Sequence, residues 1–233
     1  YLITGASSPL GIELYNKLLT DEEYCVLVVR DPSKLKGLEA FDDALYHIIQ
    51  CDLNNSHDIE SLCKWLNKND SKITAFIHAA AASFEDKFNT ECLSDIFMVN
   101  VFSAWRIAKT CLQKMEMQGN GKILFISSIG HKFGGKQERA GYSGSKYLLE
   151  YFPREFRDCA KFDVLVNTIR LGVMSGGTQA KTGITGSDFE KRINLIPTRT
   201  PVKHCEAVRA MLFLCSPQNH SIHNEVFTVS GGE

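Results

Sequence analysis

Short apolar runs alternate with longer amphipathic stretches along this chain, and that alternation limits the possible folds more than any other feature of the sequence. A run too short for a buried helix reads as a buried strand. An amphipathic stretch between two such strands is long enough to return the chain to the same end of a sheet, so the repeated unit builds a parallel sheet clothed in helices. Strands are expected at Tyr1 to Thr4, Cys25 to Val29, Tyr46 to Gln50, Ala75 to Ala79, Gly121 to Ser127, Val164 to Arg170 and Glu225 to Val229. Apolar residues at three- and four-residue steps predict helices over Gly11 to Leu19, His57 to Asn67, Leu93 to Gln118, Tyr142 to Lys161 and Cys205 to Cys215. The expected class is α/β, a doubly wound parallel sheet of about seven strands with helices on both faces. The opening Tyr1-Leu2-Ile3-Thr4 reads as the tail of a strand already under way.

No repeat or flexible linker divides the 233 residues, and 44% hydrophobic content is enough for one core, so residues 1–233 are expected to form a single domain. A net charge of -1 gives no electrostatic footprint for nucleic acid or an anionic membrane, and no apolar run is long enough to span one. The partner expected is a small molecule. Eight cysteines are scattered without a CxxC pair or Cys/His cluster, which argues against a metal site and for buried thiols in a reducing, cytoplasmic setting.

The first strand runs directly into Thr4-Gly5-Ala6-Ser7-Ser8-Pro9-Leu10-Gly11, a glycine-bounded turn opening an amphipathic helix. Backbone N–H groups at a helix start lie at the positive end of the helix dipole and can hold a pyrophosphate without a dedicated cation. Gly5, Ser7, Ser8, Leu10 and Gly11 are therefore the candidate cradle, although glycine turns also occur for purely geometric reasons. The second strand ends in Arg30-Asp31-Pro32, where a dinucleotide fold meets the adenosine ribose. Arginine there suits a 2'-phosphate and selects NADP(H) over NAD(H). Asp31 would oppose this choice unless its carboxylate serves the Asp-Pro turn, and a merely solvated Arg30 is the competing reading. Asp52, followed by Leu53, closes the third strand, where it can accept the adenine amino group or simply cap the turn into the next helix.

Tyr142 and Lys146 stand at i and i+4 at the start of a predicted helix, so they share a face, and an ammonium beside a phenol favours phenolate. Ser128 ends the strand that precedes them. A phenol and a neighbouring hydroxyl are what a ketone needs when hydride reaches its carbon and a proton its oxygen.

With those motifs in order, the chain resembles the classical short-chain dehydrogenase/reductase family over nearly its whole length, from Thr4-Gly5 to Val229-Ser230-Gly231-Gly232. The resemblance implies a Rossmann-type fold and NAD(P)-dependent interconversion of a carbonyl and an alcohol. It implies Tyr142 as general acid and base, Ser128 as the group polarising the substrate oxygen, and Lys146 as the ribose-binding lysine that lowers the Tyr142 pKa. Asn100 matches the asparagine supporting a water-linked proton relay. Ala79, Ala80 and Val173 are expected along the cofactor, and a homodimer or homotetramer is implied, with Trp105, Tyr147, Tyr151 and Phe152 either at an interface or buried by the sheet.

Four departures from the family pattern stand out. Pro9 replaces the middle turn glycine and removes an N–H. His78-Ala79-Ala80-Ala81 replaces Asn-Asn-Ala-Gly, with His78 read as structural. Leu171-Gly172 stands for the usual Pro-Gly. The interval from Ser128 to Tyr142 is one residue longer than the commonest spacing, leaving Ser127 as a substitute unless the extra residue is absorbed in the glycine-containing loop Gly130-His131-Lys132-Phe133-Gly134-Gly135. Residues 172–194 are expected to form a substrate lid, with Met174, Ile184, Phe189 and Ile193 lining an apolar pocket and Lys181, Lys191 and Arg192 available to an anionic tail. Two other functions are compatible with the departures: a nucleotide-sensing regulator, and a nucleotide-sugar epimerase or dehydratase, the latter disfavoured by the short C-terminal region.

Overall fold

Strands that are apolar on both faces belong in the middle of a covered sheet, and that is where this chain puts them. A computed structural model describes residues 1–35, 45–174 and 186–233. Its strands are β1 (Leu2–Thr4), β2 (Cys25–Val29), β3 (Tyr46–Gln50), β4 (Ala75–His78), β5 (Gly121–Ser128), β6 (Val164–Leu171) and β7 (Val226–Val229). They form one 7-stranded sheet in the order β3-β2-β1-β4-β5-β6-β7, every pair parallel. The chain builds outward from β1 to β3 and then restarts on the other side of β1 with β4. The order therefore reverses between β1 and β4, and ligands of such sheets bind beyond the strand carboxyl ends at that point.

The helices are α1 (Pro9–Thr20), α2 (Ser56–Lys68), α3 (Thr90–Phe97), α4 (Ser103–Gln118), α5 (Ala140–Leu148), α6 (Arg154–Asp158), α7 (Ser187–Asn194) and α8 (His204–Cys215). Two apolar clusters separate across the sheet. One packs α2 and α4 against Phe76, Ile123, Phe125 and Val166; the other packs α1 and α8 against Ile3, Leu27, Ile77, Leu124 and Ile169. Consecutive strand residues thus fill opposite cores, as the side-chain period of two requires. Six of the eight cysteines are buried in this framework and all eight are free thiols. No described helix is long and apolar enough to cross a membrane.

Three helix expectations need revision. The helix predicted over Tyr142 to Lys161 stops at Leu148 and resumes as α6 after Pro153. Proline lacks an N–H and disfavours helical backbone at Phe152, so the break is a local consequence of its ring. The helix predicted over Leu93 to Gln118 begins earlier, where the Asn89 side chain accepts the Glu91 and Cys92 N–H groups, and a π-helical turn, Met98–Phe102, separates α3 from α4. Part of the expected lid is α7, whose polar composition conceals a helix from any core-facing pattern; residues 175–185, with Lys181 and Ile184, lie outside the described residues.

The sharpest backbone constraint is at Gly5, where β1 turns toward α1 with φ of +68°. A Cβ there would sit 2.5 Å from the Ala80 nitrogen, so the turn and the end of β4 can touch only because the side chain is missing. Gly5→Ala is expected to destabilise the chain by roughly 1–3 kcal/mol, combining backbone strain with a clash against backbone that cannot rotate away. Urea denaturation checks this, and a loss below about 0.5 kcal/mol would show that the two turns are not in close contact.

Candidate active site

At the carboxyl end of the sheet, three consecutive residues of β5 meet α5 and the turn that follows it. The Ile126 carbonyl accepts a 2.7 Å hydrogen bond from Lys146 Nζ. Ser127 Oγ lies 2.9 Å from the Lys146 carbonyl and 2.6 Å from Glu150 Oε1. Ser128 lies on the opposite side of the strand, where its hydroxyl hydrogen-bonds with the Tyr142 phenol and also accepts the Gly130 N–H at 3.3 Å. Lys146 Nζ is 5.9 Å from the centre of the Tyr142 ring. The expected trio of Ser128, Tyr142 and Lys146 is therefore one cluster, and Ser127 is engaged elsewhere.

The glycine-containing loop between Ser128 and Tyr142 turns tightly at its end. Gly134 and Gly135 both have positive φ, and a Cβ at Gly135 would lie 1.9 Å from Ser143 Oγ. The loop thereby folds back onto the first turn of α5 and leaves the strand end undisturbed.

Asn100 sits in the π turn and is fully buried. Its Oδ1 accepts the Ala82 N–H at 2.6 Å, while Nδ2 donates to the Ala82 carbonyl at 3.0 Å and to Ser145 Oγ at 2.8 Å. Both amide protons are spent joining the segment after β4 to α5. His78, also fully buried, meets the Thr4 hydroxyl at 2.9 Å through Nδ1 and so ties β4 to β1, the structural part expected of it. Burial and the Lys146 charge hold its pKa down at about 3, against the carbonyls of Val99 and Asn100.

Two residues the sequence reading passed over complete the frame. Asp86 is 1% exposed; its Oδ2 accepts the Gly141 N–H at 2.8 Å, capping the start of α5, while its Oδ1 accepts the Phe88 N–H at 3.0 Å. Arg139, just before α5, donates to the Ser83 carbonyl at 3.1 Å. Asp86 is separated from Gly141 by 55 residues and Arg139 from Ser83 by 56, which left only one clue, a helix start with no capping side chain of its own.

The turn read as a candidate cofactor cradle joins β1 to the start of α1. Pro9 occupies the first position of α1, where its missing N–H would have had no helical partner, so the helix start survives the substitution. The Ser8 hydroxyl takes the Gly11 N–H at 3.0 Å. Gly11 packs so closely on Gly5 that a Cβ would lie 2.5 Å from the Gly5 carbonyl oxygen. Arg30 is exposed at the end of β2. Asp31 Oδ1 accepts the Ser33 N–H at 3.0 Å and the Ser33 hydroxyl at 2.6 Å, the turn role anticipated for it. Asp52 Oδ1 accepts the Asn54 N–H at 3.0 Å, a bond within the turn, Leu53 is buried, and the side chain that caps α2 is that of Asn55. Ala80 and Val173 are buried, and Ala79 bonds to β1 through its N–H. These residues fit a dinucleotide: a tight glycine turn at a helix start, an exposed cation at the ribose position, and a buried ammonium with one carbonyl partner and donors to spare for hydroxyls.

The electrostatics differ from the expectation in one respect. Tyr142 was expected to be acidified by Lys146, but burial pushes its phenol above the ordinary value, with the hydrogen bond to Ser128 pulling the other way. Desolvation also brings Lys146 down to about 7. Each group is shifted toward its neutral form by the same apolar surroundings.

Comparison with known proteins agrees with fold and motif order. A family model described as enoyl-(acyl carrier protein) reductase matches residues 17–233. The chain is 25% identical over 246 aligned positions to the 7alpha-hydroxysteroid dehydrogenase of Escherichia coli (strain K12), covering 99% of this chain and 92% of that protein. It is 24% identical to the 3-oxoacyl-acyl-carrier-protein reductase of Buchnera aphidicola subsp. Baizongia pistaciae, covering 99% and 95%. The structure of 4-hydroxyisoleucine dehydrogenase complexed with NADH superposes with a TM-score of 0.89 at 20% identity, covering 99% of this chain and 97% of that one. A nucleotide-binding α/β oxidoreductase is the class that fold and matches define. The chain belongs to the short-chain dehydrogenase/reductase family of NAD(P)-dependent oxidoreductases.

A lysine with a pKa near 7 when folded and about 10.4 when unfolded binds fewer protons in the native state throughout that interval. Stability then rises with pH across the interval and is level on either side, because the cost of burying the cation is removed as Lys146 deprotonates. Relative to Lys146→Met, the wild-type unfolding free energy is expected to climb between pH 7 and 10 by up to about 1.4 kcal/mol per unit. Paired urea titrations measure it, and a difference independent of pH would mean that Lys146 keeps its ordinary affinity for protons.

Proposed function

We propose that the chain is an NADP(H)-dependent ketoreductase that interconverts a carbonyl and an alcohol, with Tyr142 as general acid and base. The observation carrying this reading is the convergence of Ser128, Tyr142 and Lys146 at the strand ends beside the β1/β4 reversal. A bound nicotinamide supplies or receives the hydride. The Tyr142 phenol, kept protonated by burial, gives its proton to the substrate oxygen, and the Ser128 hydroxyl holds that oxygen beside it. Lys146 offers its unspent donors to ribose hydroxyls, and Asn100 keeps the 79–82 backbone and α5 at a constant separation.

Preference for NADP(H) is supported at the end of β2. Asp31 is committed to Ser33, which leaves the exposed Arg30 as the charged group for a 2'-phosphate. Residues 172–194 are read as the lid of a domain spanning 1–233. Within the lid, Arg192 is not available to an anionic substrate tail: it pairs with Glu233 and stacks 5.8 Å over the Phe133 ring. Phe102 on the π turn, with Tyr147 and Tyr151 on α5 and the turn after it, are 49%, 64% and 61% exposed, which supports pairing of these helices in a homodimer or homotetramer.

Tyr142→Phe is expected to lower turnover of NADPH with a ketone panel by roughly 10²- to 10⁴-fold while the NADPH dissociation constant stays within a few-fold. Undiminished turnover would remove Tyr142 from the reaction. Arg30→Ala should weaken NADPH by about tenfold and leave NADH nearly unaffected, the scale of one exposed charge-assisted bond. Equal weakening of both nucleotides, by fluorescence titration, would reject the 2'-phosphate contact.

A further inference from the structure

Tyr142, Lys146 and Glu150 follow one another at four-residue steps, and the third member has no part in the chemistry above. Its side chain is 7% exposed and receives hydrogen bonds from three separate elements. Oε1 lies 2.6 Å from Ser127 Oγ on β5, 2.7 Å from His131 Nε2 in the turn after β5 and 2.8 Å from Arg170 Nε on β6, and Oε2 takes a second bond from the Arg170 guanidinium. Arg170 also reaches Thr228 on β7.

We propose that Glu150 is a positioning residue that fixes the end of β5 so that Ser128, and not Ser127, meets the Tyr142 phenol. The inference rests on the reading of Ser128 and Tyr142 as the reacting pair. Successive strand side chains point to opposite faces, so a strand end has two settings, and a shift of one residue exchanges them. The two cores and the pairing with β6 set the register of the strand body, but its last two residues are both serines, and at that end the side chains alone do not choose between the settings. The Glu150 carboxylate does: it is the acceptor that a hydroxyl at position 127 finds on the side away from Tyr142. Ser127 has one proton to share between this carboxylate and the Lys146 carbonyl, and the charged acceptor is the stronger. His131 bonds the same oxygen, which holds the turn carrying the chain away from Ser128. Burial pushes the Glu150 pKa up, but the bonds from Arg170, Ser127 and His131 outweigh it and keep the carboxyl below its usual range.

A carboxylate that merely glued α5 to β6 would alter stability without altering turnover of the folded protein. A positioning carboxylate alters turnover, because small misplacements near reacting atoms are worth up to about a hundredfold. With NADPH and the best ketone of the panel, well below the melting temperature, Glu150→Ala is expected to lower kcat by about ten- to a hundredfold while the NADPH dissociation constant stays within twofold. Glu150→Gln, whose amide oxygen still accepts from Ser127 and His131, should recover part of that loss. Ser127→Ala keeps the Glu150–Arg170 pair intact but removes the bond through which the carboxylate holds the strand end, and should lower kcat measurably, though less than Ser128→Ala; these two milder variants carry the test if Glu150→Ala does not fold. The proposal is overturned if folded Glu150→Ala turns over like wild type, if Glu150→Gln is no better than Glu150→Ala, or if Ser127→Ala turns over like wild type. Tyr142→Phe assayed alongside separates the two levels. If it retains turnover, the Tyr142 reading falls; if it is inactive while Glu150→Ala is fully active, only the role of Glu150 falls.

Discussion

The seam between the end of β5 and α5 is the constraint on which the site depends. Ile126 is held through its carbonyl by Lys146, Ser127 through its hydroxyl by Lys146 and Glu150, and Ser128 through its hydroxyl by Tyr142. Three consecutive residues of a strand are thus bonded to one strip of helix and the turn after it. A parallel strand buried on both faces supplies the rigidity, and the helix supplies the spacing, since side chains four residues apart stack along its axis. Neither element alone would fix a phenol against a hydroxyl.

The seam is in turn held by contacts distant in sequence. Asp86 caps α5 from the segment after β4, and Asn100 bonds both that segment and Ser145. Asn100 reaches them from a π turn rather than an α-helical one, and the wider turn interrupts the regular ladder at the point where its side chain faces two partners. Each of these polar groups is buried and hydrogen-bonded to backbone, so removing one leaves an unmatched donor or acceptor in the interior, costing about 1–3 kcal/mol. The loop after β4, the π turn and α5 therefore behave as one unit, with β1 tied in through the bond between Thr4 and His78.

The central strands were legible because they bury both faces, which leaves short apolar runs such as Cys25–Val29 and Ile123–Ile126. Tyr142 and Lys146 were legible because their spacing lies within one helix. What the residues alone left open was settled by geometry between elements: the pattern Ile126-Ser127-Ser128 contains two equivalent hydroxyls, and only partners some twenty residues away tell them apart. Glu150 was invisible for the same reason, since a glutamate one turn past a lysine on a helix ordinarily faces water. The break before α6 was readable in principle from Pro153, but the apolar periodicity on either side of it masked the proline. Helix α7 is short, and its two apolar residues, Phe189 and Ile193, are too few to set a helical period against the polar residues around them.

Burial moves the two titratable groups of the seam in opposite directions on the pH scale, yet both toward neutrality. Tyr142 is raised and Lys146 is brought down to about 7. A neutral phenol is the form that gives a proton to a developing alkoxide; taking a proton from an alcohol requires the phenolate, which these surroundings disfavour. In the proposed chemistry the phenol therefore rests in its proton-donating form, and a resting phenolate would need a charge brought close enough to offset its desolvation. Lys146 is the nearest candidate, but 5.9 Å from the ring centre and half neutral at pH 7 it does so weakly. The same apolar packing that fixes the seam thus sets its proton chemistry, so a substitution that admits water beside α5 is expected to ease ionisation of the phenol.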